Sequence, residues 1–170
     1  TEGPKVGEVT EPMELEDLSG NPVTVGGADA KGLATLVLFV SPTCPVCRSI
    51  VPTAKSLASS ESTRLRLVFA SDGDKPEQHV AYAADLDLGG YSYTLSQTLG
   101  MRYHVSKLPF AVLVGADGTL QSKGLVNSRE HLESLVEAMD MGIATVQDYV
   151  RMVTADSDDE FNATVKEQAS

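Results

Sequence analysis

Cysteine and histidine are scarce in this 170-residue chain, two of the first and three of the second. A framework of several disulfides is thereby excluded, and a hydrophobic content of 42% is enough for a core in one domain without such staples. A structural zinc site needs four ligands, usually as two clustered pairs, and His79, His104 and His131 are too scattered to complete a site on one cysteine pair. Positive charge is short as well. Thirteen basic residues stand against 24 acidic ones, for a formal charge of −11, and no basic cluster offers a footprint for nucleic acid or anionic lipid. Long apolar runs are missing too: the longest, residues 33–40 interrupted by Thr35, falls far below the roughly 20 residues that cross a bilayer. No basic-flanked signal peptide precedes Thr1. The chain is expected to be soluble, and its opening TEGPKVGE leaves open a longer precursor with a targeting or anchoring segment upstream.

What is present is an ordered series of periodic segments. Alternating stretches at residues 13–18 and 23–25 flank the turn-forming SGNP and predict an N-terminal hairpin. LATLVLFV reads as a buried central strand, and residues 44–59 carry apolar or small side chains at helical spacing, with Pro52 expected to kink that helix. RLRLVFAS is a second strand, and Asp74 with Glu77 resembles a capping box opening a helix toward Ala84. DLDLGGYSYT reads as a loop leading to a short helix near residues 96–103. FAVLVGADGTLQSKGLV predicts a hairpin turning at Ala116-Asp117-Gly118. Leu132, Leu135, Val136 and Met139 then line one face of a helix capped by Asn127 or Ser128 and closed by Gly142. A weaker helix is expected over 143–153. The acidic, polar residues 154–170 read as a frayed tail.

Both cysteines fall in FVSPTCPVCRSIVP, at the junction of the central strand and the first helix. As a staple, a Cys44–Cys47 bridge closes a four-residue loop and limits the unfolded chain by only about 2 kcal/mol. As a redox pair, the same spacing explains more. At the first turn of a helix, Cys44 faces unpaired backbone N–H groups and the positive end of the macrodipole, both of which favour the thiolate that attacks a disulfide. Cys47, one turn on and on the inward face, is then the resolving thiol. Pro45 supplies a helix-ready φ, and Val46 adds no charge to the pair.

Four features in register resemble the thioredoxin superfamily: CPVC after a buried strand, Pro52 after the helix start, YHVSKLPF as a Tyr-x-hydrophobic-x-x-x-Pro segment, and a hairpin followed by a closing helix. The resemblance implies an α/β thioredoxin-like fold, a central mixed sheet flanked by helices, with an N-terminal β-hairpin extension. The domain spans residues 1–153, its C-terminal helical extension included, and an acidic, flexible tail covers 154–170. A cis Leu108–Pro109 bond beside the cysteines is also implied, with the Leu108 backbone pairing with an extended client segment. Pro45, Val46, Leu108 and Pro109 become the client-binding residues around Cys44 and Cys47, and no cofactor beyond the redox-active disulfide is implied. Two departures matter. The positions of the thioredoxin buried acid and of the Trp before the first cysteine hold Leu38 and Thr43 in this chain, which counts against a fast general reductase. The positions matching the peroxiredoxin Pro-x-x-x-Thr-x-x-Cys motif hold Val37 and Ser41, which counts against a peroxidase.

Closer still, FVSPTCPVC, KLPFAVLVGADGTLQSKGLVNSREHLESL and GIATVQDYV resemble the MauD-type methylamine utilisation accessory proteins, over about residues 3–150. That resemblance implies a periplasmic thiol–disulfide oxidoreductase, anchored through an N-terminal hydrophobic segment and served by a membrane redox partner. Its implied client is a cysteine-rich protein, the small subunit of methylamine dehydrogenase or of a related quinoprotein amine dehydrogenase, in which it forms or isomerises disulfides. A TlpA- or ResA-like thiol reductase keeps the same residues and reverses the direction, and a non-catalytic chaperone for the dehydrogenase subunit makes the disulfide a fixture. Arg48 and Lys107 read as surface charges before they read as modulators of Cys44. His104 reads as a surface histidine. Pro42 and Phe110 join Val46 and Leu108 as candidates for an apolar rim.

Overall fold

A computed structural model describes residues 3–140. The helix expected over 143–153, the Gly142 stop and the tail over 154–170 lie outside these residues. A hairpin of β1 (Met13–Glu16) and β2 (Pro22–Val25) precedes β3 (Ala34–Phe39), α1 (Pro45–Ser60), β4 (Leu65–Ser71), α2 (Pro76–Asp85), β5 (Ser92–Leu95), α3 (Gln97–Arg102), β6 (Phe110–Val114), β7 (Leu120–Leu125) and α4 (Arg129–Val136). The main sheet runs β5-β4-β3-β6-β7, and the hairpin forms a separate two-stranded sheet. Strands β4 and β5 lie parallel to their neighbours toward β3, whereas β6 and β7 are antiparallel, so the sheet is mixed.

Strand β3 is apolar throughout because both of its faces are covered. Leu36 and Leu38 pack with the buried side of α1 and with Leu132 and Val136 of α4, while Val37 and Phe39 pack with Val25, Leu99 and Tyr103 on the opposite face. Each fully buried side chain of this kind contributes about 1.5–3 kcal/mol. Helix α1 buries Cys47, Ile50, Val51, Ala54, Leu57 and Ala58, and Pro52 lies within it. Phe39 stands opposite Ala70 of β4 and Phe110 of β6. The register therefore gathers the end of β3, the start of α1 and the residues just before β6 at one end of the sheet.

Two expectations are corrected. The stretch after the Gly89-Gly90 pair is not all loop: Ser92–Leu95 forms the edge strand β5, recruited by the open side of β4 and buried at Tyr93 and Thr94. Four residues are too few for an alternation signal to rise above the preceding glycines. The capping box at Asp74 does not form either. Pro76 occupies the first turn of α2, the cap position falls on Lys75 at φ 53°, and no side chain caps it. Asp74 instead donates its N–H to the Asp72 carboxylate at 3.1 Å.

The segment ahead of the hairpin is fastened to the main sheet. Gly7 N–H donates to the Leu120 carbonyl at 2.8 Å, Leu120 N–H donates to that of Glu8 at 2.9 Å, and Thr10 N–H donates to that of Gly118 at 2.8 Å. At the other edge of the sheet, Leu18 N–H donates to the Tyr93 carbonyl at 2.9 Å, and Asp17 bridges to Thr94. Gly118 is required where it stands: its φ is +91°, and a Cβ there would come within 2.7 Å of the Gly27 backbone.

Candidate active site

Cys44 is the N-cap of α1, with extended backbone at φ −103° and ψ 109°. Its sulfur accepts the Cys47 N–H at 3.1 Å, so it takes the place that a Ser or Asp oxygen usually holds at a helix start. Pro45 occupies the first turn, where a missing N–H costs nothing, and no acidic residue in that turn offsets the positive end of the helix. Cys44 is half-buried, whereas Cys47 is 0% exposed. Both are free thiols. Burial, and then the hydrogen-bonded Cys44 sulfur, push the Cys47 thiol up to about 12. One sulfur of the pair thus meets solvent, and the other is held inside as a neutral thiol at ordinary pH.

The Leu108–Pro109 bond is cis, as the family resemblance implied. It comes immediately before Phe110, the register partner of Phe39, so it lies at the end of the sheet from which the Cys44 loop departs. Val46 and Leu108 are 45% and 37% exposed, high for aliphatic side chains, and Pro45 is exposed beside them. Pro42 and Phe110 are only half-buried, and the Phe110 ring lies 6.5 Å from that of Phe39. A cavity of about 330 Å³ opens next to this end of the sheet, lined among others by Ser41, Asp72, Gln97, Met101, Val105 and Leu108.

Arg48 forms an ion pair with Asp85 of α2 and does not stand as a lone charge beside the cysteines. Lys107 and His104 are exposed. Leu38, on the face of β3 that carries Cys47, is 0% exposed, and no Asp or Glu is buried among the described residues. No cluster of three or more His, Cys, Asp or Glu among them is placed to hold a metal ion. His79, considered in the sequence only as a zinc ligand, is buried, with Nδ1 2.8 Å from the Tyr93 hydroxyl and Nε2 3.0 Å from the Asp74 carbonyl oxygen. Tyr82 was missed altogether. Its ring packs in the same buried cluster as Cys47, and its hydroxyl has no hydrogen-bond partner. The signal available was the pairing of His79 and Tyr82 three residues apart on the inward face of α2.

A thioredoxin-like family profile matches residues 32–120, which include both cysteines and Pro109. The methylamine utilization protein MauD of Paracoccus denitrificans is 42% identical over 148 residues, covering 87% of this chain and 72% of that protein. The chain belongs to the MauD family. The MauD of Methylorubrum extorquens is 41% identical, over 87% of this chain and 71% of its own length. Among solved structures, a secreted Mycobacterium tuberculosis disulfide oxidoreductase homologous to DsbE superposes with a TM-score of 0.60 at 21% identity, over 74% of this chain and 95% of that one. That likeness shows that this MauD-family chain has the thioredoxin-like fold. No helix of the described residues is long and apolar enough to cross a membrane.

Proposed function

We propose that this MauD-family protein is a thiol–disulfide oxidoreductase that forms or isomerises disulfides in a periplasmic, cysteine-rich client, the small subunit of methylamine dehydrogenase or of a related quinoprotein amine dehydrogenase. The observation that carries this reading is the asymmetry of the pair: Cys44 half-buried at the helix N-cap with its sulfur accepting a backbone N–H, and Cys47 sealed one turn behind it. In the oxidised protein a client thiolate attacks Cys44, the Cys44–Cys47 bond breaks, and the mixed disulfide passes to a second client thiol. In the reduced protein Cys44 attacks a client disulfide, and Cys47 resolves it. Leu108, ahead of cis Pro109, pairs its backbone with an extended client segment, while Pro45 and Val46 give that segment an apolar surface. A membrane redox partner restores the pair, and an N-terminal anchor holds the full-length protein at the membrane.

Substituting each cysteine tests the assignment. Cys44→Ser is expected to abolish exchange with a disulfide peptide, whereas Cys47→Ser is expected to accumulate a covalent adduct through Cys44, visible by intact-protein mass. Retained turnover in the Cys44 variant would reject the attacking and resolving roles of the two sulfurs.

A further inference from the structure

Cys47 has a proton problem that the fold does not solve with a carboxylate. When Cys47 attacks a mixed disulfide its S–H must lose a proton, and when it leaves from the Cys44–Cys47 bond it departs as a thiolate inside the core. Both events place negative charge on a sulfur that is 0% exposed, and no Asp or Glu is buried among the described residues to manage it.

Helix α2 brings a hydroxyl to that face. Its C-terminal end is tied to α1 by the Arg48–Asp85 ion pair and by Lys55 Nζ, which donates to the Leu86 and Asp87 carbonyls at 3.1 and 2.9 Å. Arg48 is the residue after Cys47 and Tyr82 lies one turn before Asp85, so these ties join α2 to the helix that carries Cys47, and Tyr82 packs in the buried cluster that holds that cysteine. Tyr82 is 4% exposed and shares the Cys47 cluster, yet its hydroxyl makes no hydrogen bond. A buried polar group without a partner is costly, which gives such an exception a claim to a role. Its neighbour Tyr93 is satisfied by His79.

We propose that the Tyr82 hydroxyl serves as the hydrogen-bond donor to the Cys47 sulfur when that sulfur carries thiolate charge, acting where related folds use a buried acid. The electrostatics agree with the placement. Burial first, and then charge on Cys47 and on Cys44, push the Tyr82 phenol up to about 12, the value Cys47 itself reaches. Tyr82 thus stays protonated and able to donate at any working pH. The titratable and charged groups around Cys47 are Cys44 on its own helix, Arg48 and Asp85 as a mutual pair at the surface, Tyr82 from α2 and Tyr93 from β5, whose hydroxyl meets His79; β3 and α4 present apolar side chains to the cluster, Leu36, Leu38, Leu132 and Val136 among them. Bonds and charge balance without another reactant. In resolution the Cys47 proton passes to solvent, the Cys44–Cys47 bond forms, the bond from Cys44 to the client breaks, and the client sulfur leaves as a thiolate that takes up a proton.

This role rests on the proposed redox pair, and one experiment separates the two. The reduced protein is mixed with an aromatic disulfide whose released thiolate is coloured, and two releases are followed in time: the first from attack by Cys44, the second from resolution by Cys47. Tyr82→Phe keeps the ring and removes only the unpartnered oxygen. It is expected to leave the first phase within twofold of the unaltered protein, to slow the second about tenfold, the scale of one hydrogen bond to a charged sulfur, and to move the pH profile of the second phase upward. An unchanged second phase, or equal slowing of both phases, would overturn the role of Tyr82. Absence of either phase in the unaltered protein would overturn the redox pair on which that role rests. As a second variant that keeps ring and hydroxyl, fluorotyrosine at position 82, a more acidic donor, is expected to accelerate the second phase and shift its profile to lower pH; no shift would overturn the proposal.

Discussion

Two sulfurs three residues apart differ because one caps a helix and the other sits under it. Cys47 titrates far above a free thiol, and the sign of its effect on stability follows from that. Its folded value, about 12, lies above the ordinary 9.0, so burial of the neutral thiol stabilises fully below about pH 9, and this contribution is lost as pH rises toward about 12. Reduced protein is therefore expected to lose stability in that alkaline window, and a Cys47→Ala variant should show a flatter loss there in denaturant melts. Alkylation near neutral pH should modify Cys44 alone, read as a single added mass; double modification of folded protein would contradict the sealed position of Cys47. These residues were legible in the sequence because the spacing of CPVC after an apolar run is a local signal. Tyr82 was legible only as an inward-facing residue of α2 beside His79, since its place in the Cys47 cluster depends on how α2 docks. Leu38 is recognisable as a departure by counting back from Cys44, but only the structure shows that no other buried carboxylate stands in for the missing one among the described residues.

Among the elements, α1, α4 and the two hairpins could be read directly, because each carries enough apolar positions to fix a period. Ser128 caps α4, its hydroxyl accepting the His131 N–H at 3.2 Å, as one of the two caps anticipated. Strand β5 and the start of α2 escaped for opposite reasons: the first has too short a pattern, and the second had a plausible pattern displaced by Pro76. The turn between β2 and β3 shows how a polar group joins elements. The Asp29 carboxylate accepts the N–H groups of Lys31 and Leu33 at 3.0 and 2.9 Å and pairs with Arg66 of β4, whose Nε reaches Thr35 Oγ1 of β3 at 3.1 Å. Burial works to raise the Asp29 titration, but the Leu33 N–H, Arg66 and the Lys31 N–H outweigh it and hold the carboxyl below its ordinary value. Its stabilising effect is thus present above the ordinary value of 3.8 and is lost as pH falls through the lowered folded value. Asp29→Asn is expected to cost about 1–2 kcal/mol at neutral pH by denaturant unfolding and to weaken the acid limb of the stability curve.

For the whole molecule, the site stands at one end of a mixed sheet whose central strand is covered on both faces, so the cysteines rest on its most deeply buried part. The segment before the hairpin reaches β7, and the turn of the hairpin between β1 and β2 reaches β5. These are the two outer strands, and each would otherwise present unpaired backbone to any neighbouring chain. One continuous N-terminal stretch therefore covers part of both margins of the sheet. A chain shortened to begin at Ala28 is expected to form concentration-dependent oligomers or aggregates in light scattering while the full chain stays monodisperse. Under the proposed function such cover has a further consequence, because open strand margins would capture partly folded clients indiscriminately and carry both into insoluble assemblies.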